Sequence, residues 1–251
     1  MRYRNIYLRI DGCELVSETN INHNEFCRQI EDDSDDNIIE ILLAIVGADK
    51  PAEIRFLNFY KEVPIVSPAT ITYAFEETLS CRTSEIQARA ISFSNNTIIQ
   101  SNALKHDVFA KAIYQPDTKE VVISDLMYVV VYSDRRTSVR VKMDSLFPLV
   151  IEAGPSQFNG KLRELSLHGC AVDIPDPELM GNFKFFYLNM DMPFMTFKGT
   201  HKARIMAKFV RGEQHARSYR CIFTFEHDNT TEDQIGRLLT QRQTEIIREL
   251  K

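Results

Sequence analysis

Between residues 52 and 225 the chain is cut into short runs rich in Val, Ile, Phe, Tyr and Thr, each closed by Gly, Pro, Asn, Asp or Ser. Chains punctuated in this way bury their apolar residues by pairing strands rather than by packing long helices. A first set covers Glu53 to Phe59, Ala69 to Glu76, Gln87 to Ser92, Thr97 to Ser101, Val108 to Tyr114 and Glu120 to Val131. Strands at this spacing predict a small barrel or split barrel. The second set covers Val141 to Met143, Pro148 to Ala153, Lys161 to Leu165, Cys170 to Ile174, Phe183 to Asn189, Met195 to Gly199, Lys202 to Arg211 and Ser218 to Phe225. It repeats the barrel rhythm, with Pro175, Pro177, Pro193 and glycines at turns. The tail from Thr231 to Leu250 differs: Ile235, Leu238, Leu239, Ile246, Ile247 and Leu250 form a stripe at helical period, with Thr230 or Thr231 as cap and Asp233 in the first turn. The fold class expected is mainly β, with two tandem β-barrel domains over residues 1–133 and 134–251, the second closed by a C-terminal α-helix.

Ahead of the first strand set, Arg2 to Leu15 reads as one or two strands broken at Asp11-Gly12, and Asn22 to Ile30 as a short helix. A second helix spans Asn37 to Val46, capped by Asp35 or Asp36 and stopped at Gly47. The acidic run Glu31-Asp32-Asp33-Ser34-Asp35-Asp36 invites comparison with a calcium loop. Counted from Asp33, however, Ile38 and Ala44 stand where the sixth-position glycine and twelfth-position glutamate are needed. A solvated helix start is the better account.

With 251 residues, 44% hydrophobic and 26% charged, the chain can bury a core without disulfides or metals. Its net charge of -5 argues against a general DNA or RNA binder, so any anion site must be local. Cys13, Cys27, Cys81, Cys170 and Cys221 are odd in number, scattered and never in a CxxC pair, which predicts reduced, buried thiols and a cytoplasmic location. No charged-then-apolar leader opens the chain and no run reaches the length of a membrane span, which points to a soluble protein that is not exported.

A local anion site is visible in Asp134-Arg135-Arg136-Thr137-Ser138-Val139-Arg140. Arg136 and Arg140 are four apart, a spacing that puts both side chains on one side of an extended or a helical backbone. Guanidinium forks pair with phosphate oxygens or with guanine O6 and N7 and stack on purines. Further on, Glu164-Leu165-Ser166-Leu167-His168-Gly169 places an acid and a hydroxyl two apart on one strand face, followed by a glycine. A carboxylate accepts from guanine N1 and N2, a hydroxyl bonds phosphate or base, and a bare backbone leaves room for a ring. Taken alone, Arg135, Arg136 and Arg140 would be a solvated linker between two barrels; the second stretch favours a ligand site.

These two stretches resemble the signature of PilZ domains, RxxxR followed by (D/N)xSxxG. Arg136 to Arg140 fits the first part, and Glu164 to Gly169 fits the second with Glu in place of Asp or Asn. The resemblance covers about Asp134 to Lys251, and the layout of the N-terminal strands is similar to flagellar-brake-type members. It implies a bacterial receptor for cyclic di-GMP, with Arg135, Arg136, Arg140, Glu164, Ser166 and Gly169 holding the ligand. It further implies that binding at the interdomain arginine segment becomes a change in domain arrangement. In the family, an arginine at the position of Arg135 goes with capture of two intercalated ligands. The alternative is a degenerate PilZ module that scaffolds proteins without binding nucleotide. Either way no catalysis and no cofactor or metal is expected. The partners expected are cyclic di-GMP and a downstream protein, with a homodimer allowed and DNA, RNA and a membrane span excluded.

Rival chemistry fits poorly. Gly154-Pro155-Ser156-Gln157-Phe158-Asn159-Gly160-Lys161 has five residues between its glycines and Leu162 where a phosphate loop needs Ser or Thr, so it reads as a hairpin turn. His23, His106, His168, His201, His215 and His227 lack metal-ligand spacing. Ser166 lacks a G-x-S-x-G setting, which leaves a small hydrolase without a nucleophile. The Met and Phe residues between Phe183 and Phe197 are expected to be core.

Overall fold

The computed structural model describes residues 27–30, 37–132, 138–181, 183–193, 200–215, 218–226 and 228–251. In chain order the elements are β1 (Cys27–Gln29), α1 (Ile38–Gly47), β2 (Ile54–Tyr60), β3 (Val63–Phe75), β4 (Thr78–Thr83), α2 (Glu85–Ser94), β5 (Asn96–Gln100), β6 (Asp107–Gln115) and β7 (Glu120–Val131). There follow β8 (Arg140–Ala153), β9 (Ser156–Ser166), β10 (Gly169–Ile174), a 3-10 turn (Pro177–Met180), β11 (Phe185–Pro193), β12 (Thr200–His215), β13 (Ser218–Glu226) and α3 (Asn229–Glu249). The first seven strands form one sheet in the order β1-β7-β4-β3-β2-β5-β6, and pairing of β7 with β6 as well as β4 closes six of them into a ring. The other six form a closed barrel, β10-β13-β12-β11-β8-β9. The mainly β architecture with a C-terminal helix is as expected.

Several local readings need correction. Cys27–Gln29 is a strand, not the end of a helix: it pairs with Val129, Val130 and Val131 of β7, and Cys27 is buried beside Val129 and Val131. Sheet pairing overrides local preference there. Gln87 to Ser92 belongs to a helix, not a strand. Ser84 caps α2 by accepting from the Gln87 amide at 3.2 Å, Arg89 pairs with Glu85 one turn back, and Asn95 ends the helix in the left-handed region. β4 fills a stretch where no strand was expected. The two pieces around Met143 are one strand, β8, with an irregular register between Lys142 and Phe147. Helix caps also shift: Asn37, not Asp35 or Asp36, caps α1, and Asp228, not Thr230 or Thr231, caps α3. Arg2 to Leu15 and Met195 to Gly199 lie outside the described residues.

Gly154 turns the β8–β9 hairpin at a φ of 60°, where a side chain would be strained, and pairs Ala153 with Ser156. The barrel core collects inward residues of all six strands, and Ile235, Leu238, Leu239, Ile246 and Leu250 of α3 join the same cluster. The expected helical stripe therefore faces the barrel. Phe186 and Phe223 meet edge to face inside it, whereas Phe183, Phe185 and Tyr187 are exposed, so the aromatic stretch is only partly core. Cys27, Cys81, Cys170 and Cys221 are buried free thiols; burial pushes Cys81 and Cys221 up to about 12, which keeps them protonated.

Among the described residues, the N-terminal ring touches the barrel through the β2–β3 hairpin and α2. Val63 and Ile65 of β3 and Ala90 of α2 are part of the barrel cluster. At the β2–β3 tip, Lys61 and Glu62 both have positive φ, the two-residue turn that matches strand twist. The Lys61 carbonyl accepts from the Lys142 amide of β8 at 3.1 Å, and its ammonium meets Glu249 of α3 at 2.5 Å. α2 holds this hairpin through a buried polar knot. Asn58 accepts from Gln87 Nε2 at 2.7 Å and from Thr97 Oγ1 at 2.8 Å, and donates to the Asn96 carbonyl. Replacing Asn58 with Leu leaves these groups buried without partners and is expected to cost at least about 2 kcal/mol in urea unfolding. Gln87→Leu should cost less, since Gln87 Oε1 already has no partner among the described residues.

Candidate functional site

Strand register brings the two halves of the motif together. Across β8 and β9, Arg140 lies opposite Ser166 and Lys142 opposite Glu164. Across β9 and β10, Ser166 lies opposite Gly169 and Glu164 opposite Ala171. Across β10 and β13, Gly169 lies opposite Thr224 and Ala171 opposite Ile222. Two parallel rows result: Arg140, Ser166, Gly169, Thr224, and below it Lys142, Glu164, Ala171, Ile222. A break in the β9–β10 register leaves Arg163 as an extra residue between Leu162 and Glu164. This bulge re-aims the side chains that follow it.

A cavity of about 270 Å³ opens on these rows, lined by Ser138, Arg140, Glu164, Ser166, His168, Gly169, Cys170, Ala171, Ile222, Phe223 and Thr224. Arg140 Nη1 lies 3.0 Å from Glu164 Oε2, with the arginine side chain 41% and the glutamate 17% exposed. One arm of the guanidinium fork is thus engaged by the acid. The Ser166 hydroxyl donates to the Gly169 carbonyl at 3.0 Å, closing the β9–β10 turn. In that arrangement it faces a ligand only as an acceptor. Gly169 also has a structural reason to be glycine: a Cβ there would collide with the Phe223 carbonyl oxygen of β13. Arg135 and Arg136 lie outside the described residues.

Below the cavity, buried Asp173 bridges two arginines, Arg163 Nε at 2.7 Å and Arg220 Nε at 2.9 Å. Burial pushes the Asp173 carboxyl up, but the hydrogen bonds from Arg220 and Arg163 outweigh it and hold the group below its ordinary range. The Arg163–Asp173–Arg220 brace ties β9, β10 and β13 beneath the site. Neither it nor the β13 lining, Ile222 to Thr224, carries a motif. The register that brings β13 beside β10 is the information missing from the sequence. Among the described residues, no three His, Cys, Asp or Glu side chains gather as a metal site, and no helix is long and apolar enough to cross a membrane.

Residues 134–241 match the PilZ domain family. Among solved structures, the chain is similar to the Bacillus subtilis inhibitor of motility (MotI/DgrA), at 10% identity over 77% of this chain and 96% of that one, with a TM-score of 0.41. It is similar to MrkH of K. pneumonia in its complex with c-di-GMP, at 14% identity over 85% and 97% of the two chains and a TM-score of 0.39. It is also similar to YcgR of Escherichia coli in complex with c-di-GMP, at 16% identity over 90% and 96% and a TM-score of 0.36. No curated protein sequence matches the chain.

Gly169→Ala forces β10 and β13 apart. A loss of roughly 1–3 kcal/mol is expected in urea unfolding, together with faster amide exchange on both strands. Wild-type stability and exchange in the variant would show that the close approach is not needed.

Proposed function

We propose that the chain is a receptor for cyclic di-GMP, bound on the outer face of the barrel by Arg135, Arg136, Arg140, Glu164, Ser166 and Gly169, and that it acts without catalysis. The observation that carries this reading is the convergence on one cavity of Arg140 with Glu164, Ser166 and Gly169, within a segment that matches the PilZ family. The chemistry suits a guanine dinucleotide. Arg140 supplies a fork for phosphate or for O6 and N7, and the Glu164 carboxylate accepts from N1 and N2. Ala171 and Ile222 provide an apolar floor for a purine face.

The two units divide at residues 133 and 134 in this proposal, so a ligand on the arginine segment touches what links them. A route to the N-terminal unit exists: Lys142, two residues from Arg140, gives its amide to the Lys61 carbonyl of the β2–β3 tip. Binding shifts the arrangement of the units only as far as the ligand prefers one arrangement over another. A downstream protein then reads the outcome. The ion pair between Arg140 and Glu164 favours a second reading, in which the acid takes the ligand's place and the module scaffolds proteins without nucleotide.

Titration calorimetry with cyclic di-GMP, GTP and GMP separates the two readings, since a scaffold binds none of them. For a receptor, Arg136→Ala and Arg140→Ala should each weaken cyclic di-GMP binding about tenfold or more, the loss of a charge-assisted contact. Unchanged binding in both would remove the site. Glu164→Asp should bind as well as wild type or better, and Glu164→Ala worse. Tighter binding by Glu164→Ala would instead make the acid a competitor of the phosphates.

A further inference from the structure

The two rows do not stop at β13. Across β13 and β12, Thr224 lies opposite Lys208 and Ile222 opposite Arg211, and Lys208 lies opposite Phe185 of β11. The step from Lys208 to Arg211 is three residues, not two, because the β12 register breaks between Phe209 and Arg211, leaving Val210 as an extra residue. Without that bulge Arg211 would point into the barrel, since successive side chains alternate faces. With it, Lys208 and Arg211 are both exposed beside the floor. The two bulges flank one cross-strand row from opposite sides, Val210 on β12 and Arg163 on β9, and that row runs Glu164, Ala171, Ile222, Arg211 with a charge at each end. Bulges that re-aim side chains cluster at functional sites.

Both cations are open to an anion. Arg140, Arg163, Arg204, Arg220 and Arg242 each hold a carboxylate, while among the described residues neither Lys208 nor Arg211 forms an ion pair. The cavity is also small for its proposed occupant: about 270 Å³, below the ~300–1,000 Å³ usual for drug-sized ligands. A dinucleotide therefore extends past its rim, and the β12 side of the floor is one strand spacing, ~5 Å, beyond Ile222 and Thr224.

We infer that Lys208 and Arg211 form the far rim of this site and hold the end of the ligand remote from Glu164. The inference rests on the cyclic di-GMP reading and adds what that reading does not specify: the site runs from β9 across β10 and β13 to β12, around the outer curve of the barrel. It therefore selects a ligand with two phosphates and two purines over a mononucleotide. Arg211 offers a fork to phosphate or to the guanine O6 and N7 edge, and Lys208 a point charge to phosphate.

The test is calorimetry with cyclic di-GMP and with GMP at several salt concentrations. It uses wild type, Lys208→Ala/Arg211→Ala, Lys208→Arg and Lys202→Ala, the last an exposed lysine on the same strand away from the floor. The double variant should lose about tenfold or more in cyclic di-GMP affinity, show a shallower salt dependence, and bind GMP as wild type does. Lys208→Arg and Lys202→Ala should keep wild-type affinity. Wild-type cyclic di-GMP affinity in the double variant, with Arg140→Ala impaired, overturns the far rim and leaves the receptor standing. Equal losses for GMP and cyclic di-GMP overturn the spanning geometry. Absence of cyclic di-GMP binding by wild type overturns the receptor and the rim together.

Discussion

The approach of β13 to β10 at Gly169 is the contact on which the barrel and its outer face both depend. Without a side chain at that position the Phe223 carbonyl comes close enough for Gly169 to sit opposite Thr224 and Ala171 opposite Ile222. Inside, the same approach seats the Phe223 ring edge to face with Phe186 and Phe209. Outside, it makes the floor of the cavity. Asp173, two residues from Ala171, secures the arrangement by holding Arg220 of β13 and Arg163 of β9 at once. A buried carboxylate of this kind is costly to isolate, and its two charge-assisted bonds are what make it tolerable.

Much of this was legible in the sequence because it is local. The strands of the barrel, the turn at Gly154 and the stripe of α3 follow from short-range pattern, while Arg140 and the Glu164 to Gly169 stretch were joined by the PilZ resemblance. α2 shows where such reading fails. Ile86, Ala88 and Ala90 alternate as a strand would, yet Ala88, Ala90 and Ile91 are the buried apolar residues of a helix. The residue that decides between the two is Ser84, an N-cap that period alone does not reveal. The close approach at Gly169 was not legible for another reason. Its neighbour is a carbonyl more than fifty residues away, and the register that brings Phe223 to it is fixed by barrel closure. Ile222, Thr224, Lys208 and Arg211 were silent for the same reason, since none is unusual until strand pairing lines it up.

Contacts between the two units divide into two kinds of different cost. Lys61 with Glu249, and Tyr60 with the same acid, are polar and partly exposed, and bonds of that kind exchange with water for about 1 kcal/mol or less. Val63, Ile65 and Ala90 are buried in the barrel cluster, and separating them would expose apolar surface at about 25 cal/mol per Å². Lys142 lies where both kinds meet. Its amide goes to the hairpin tip, its carbonyl accepts from Arg242 of α3 at 3.4 Å, and two residues back along the strand is Arg140. On the proposed reading, a ligand that takes Arg140 from Glu164 exchanges one partner of the arginine for another anion at the start of β8. On that reading the polar contacts around Lys142 are the ones cheap enough to rearrange, while the buried Val63, Ile65 and Ala90 would hold the hairpin to the barrel.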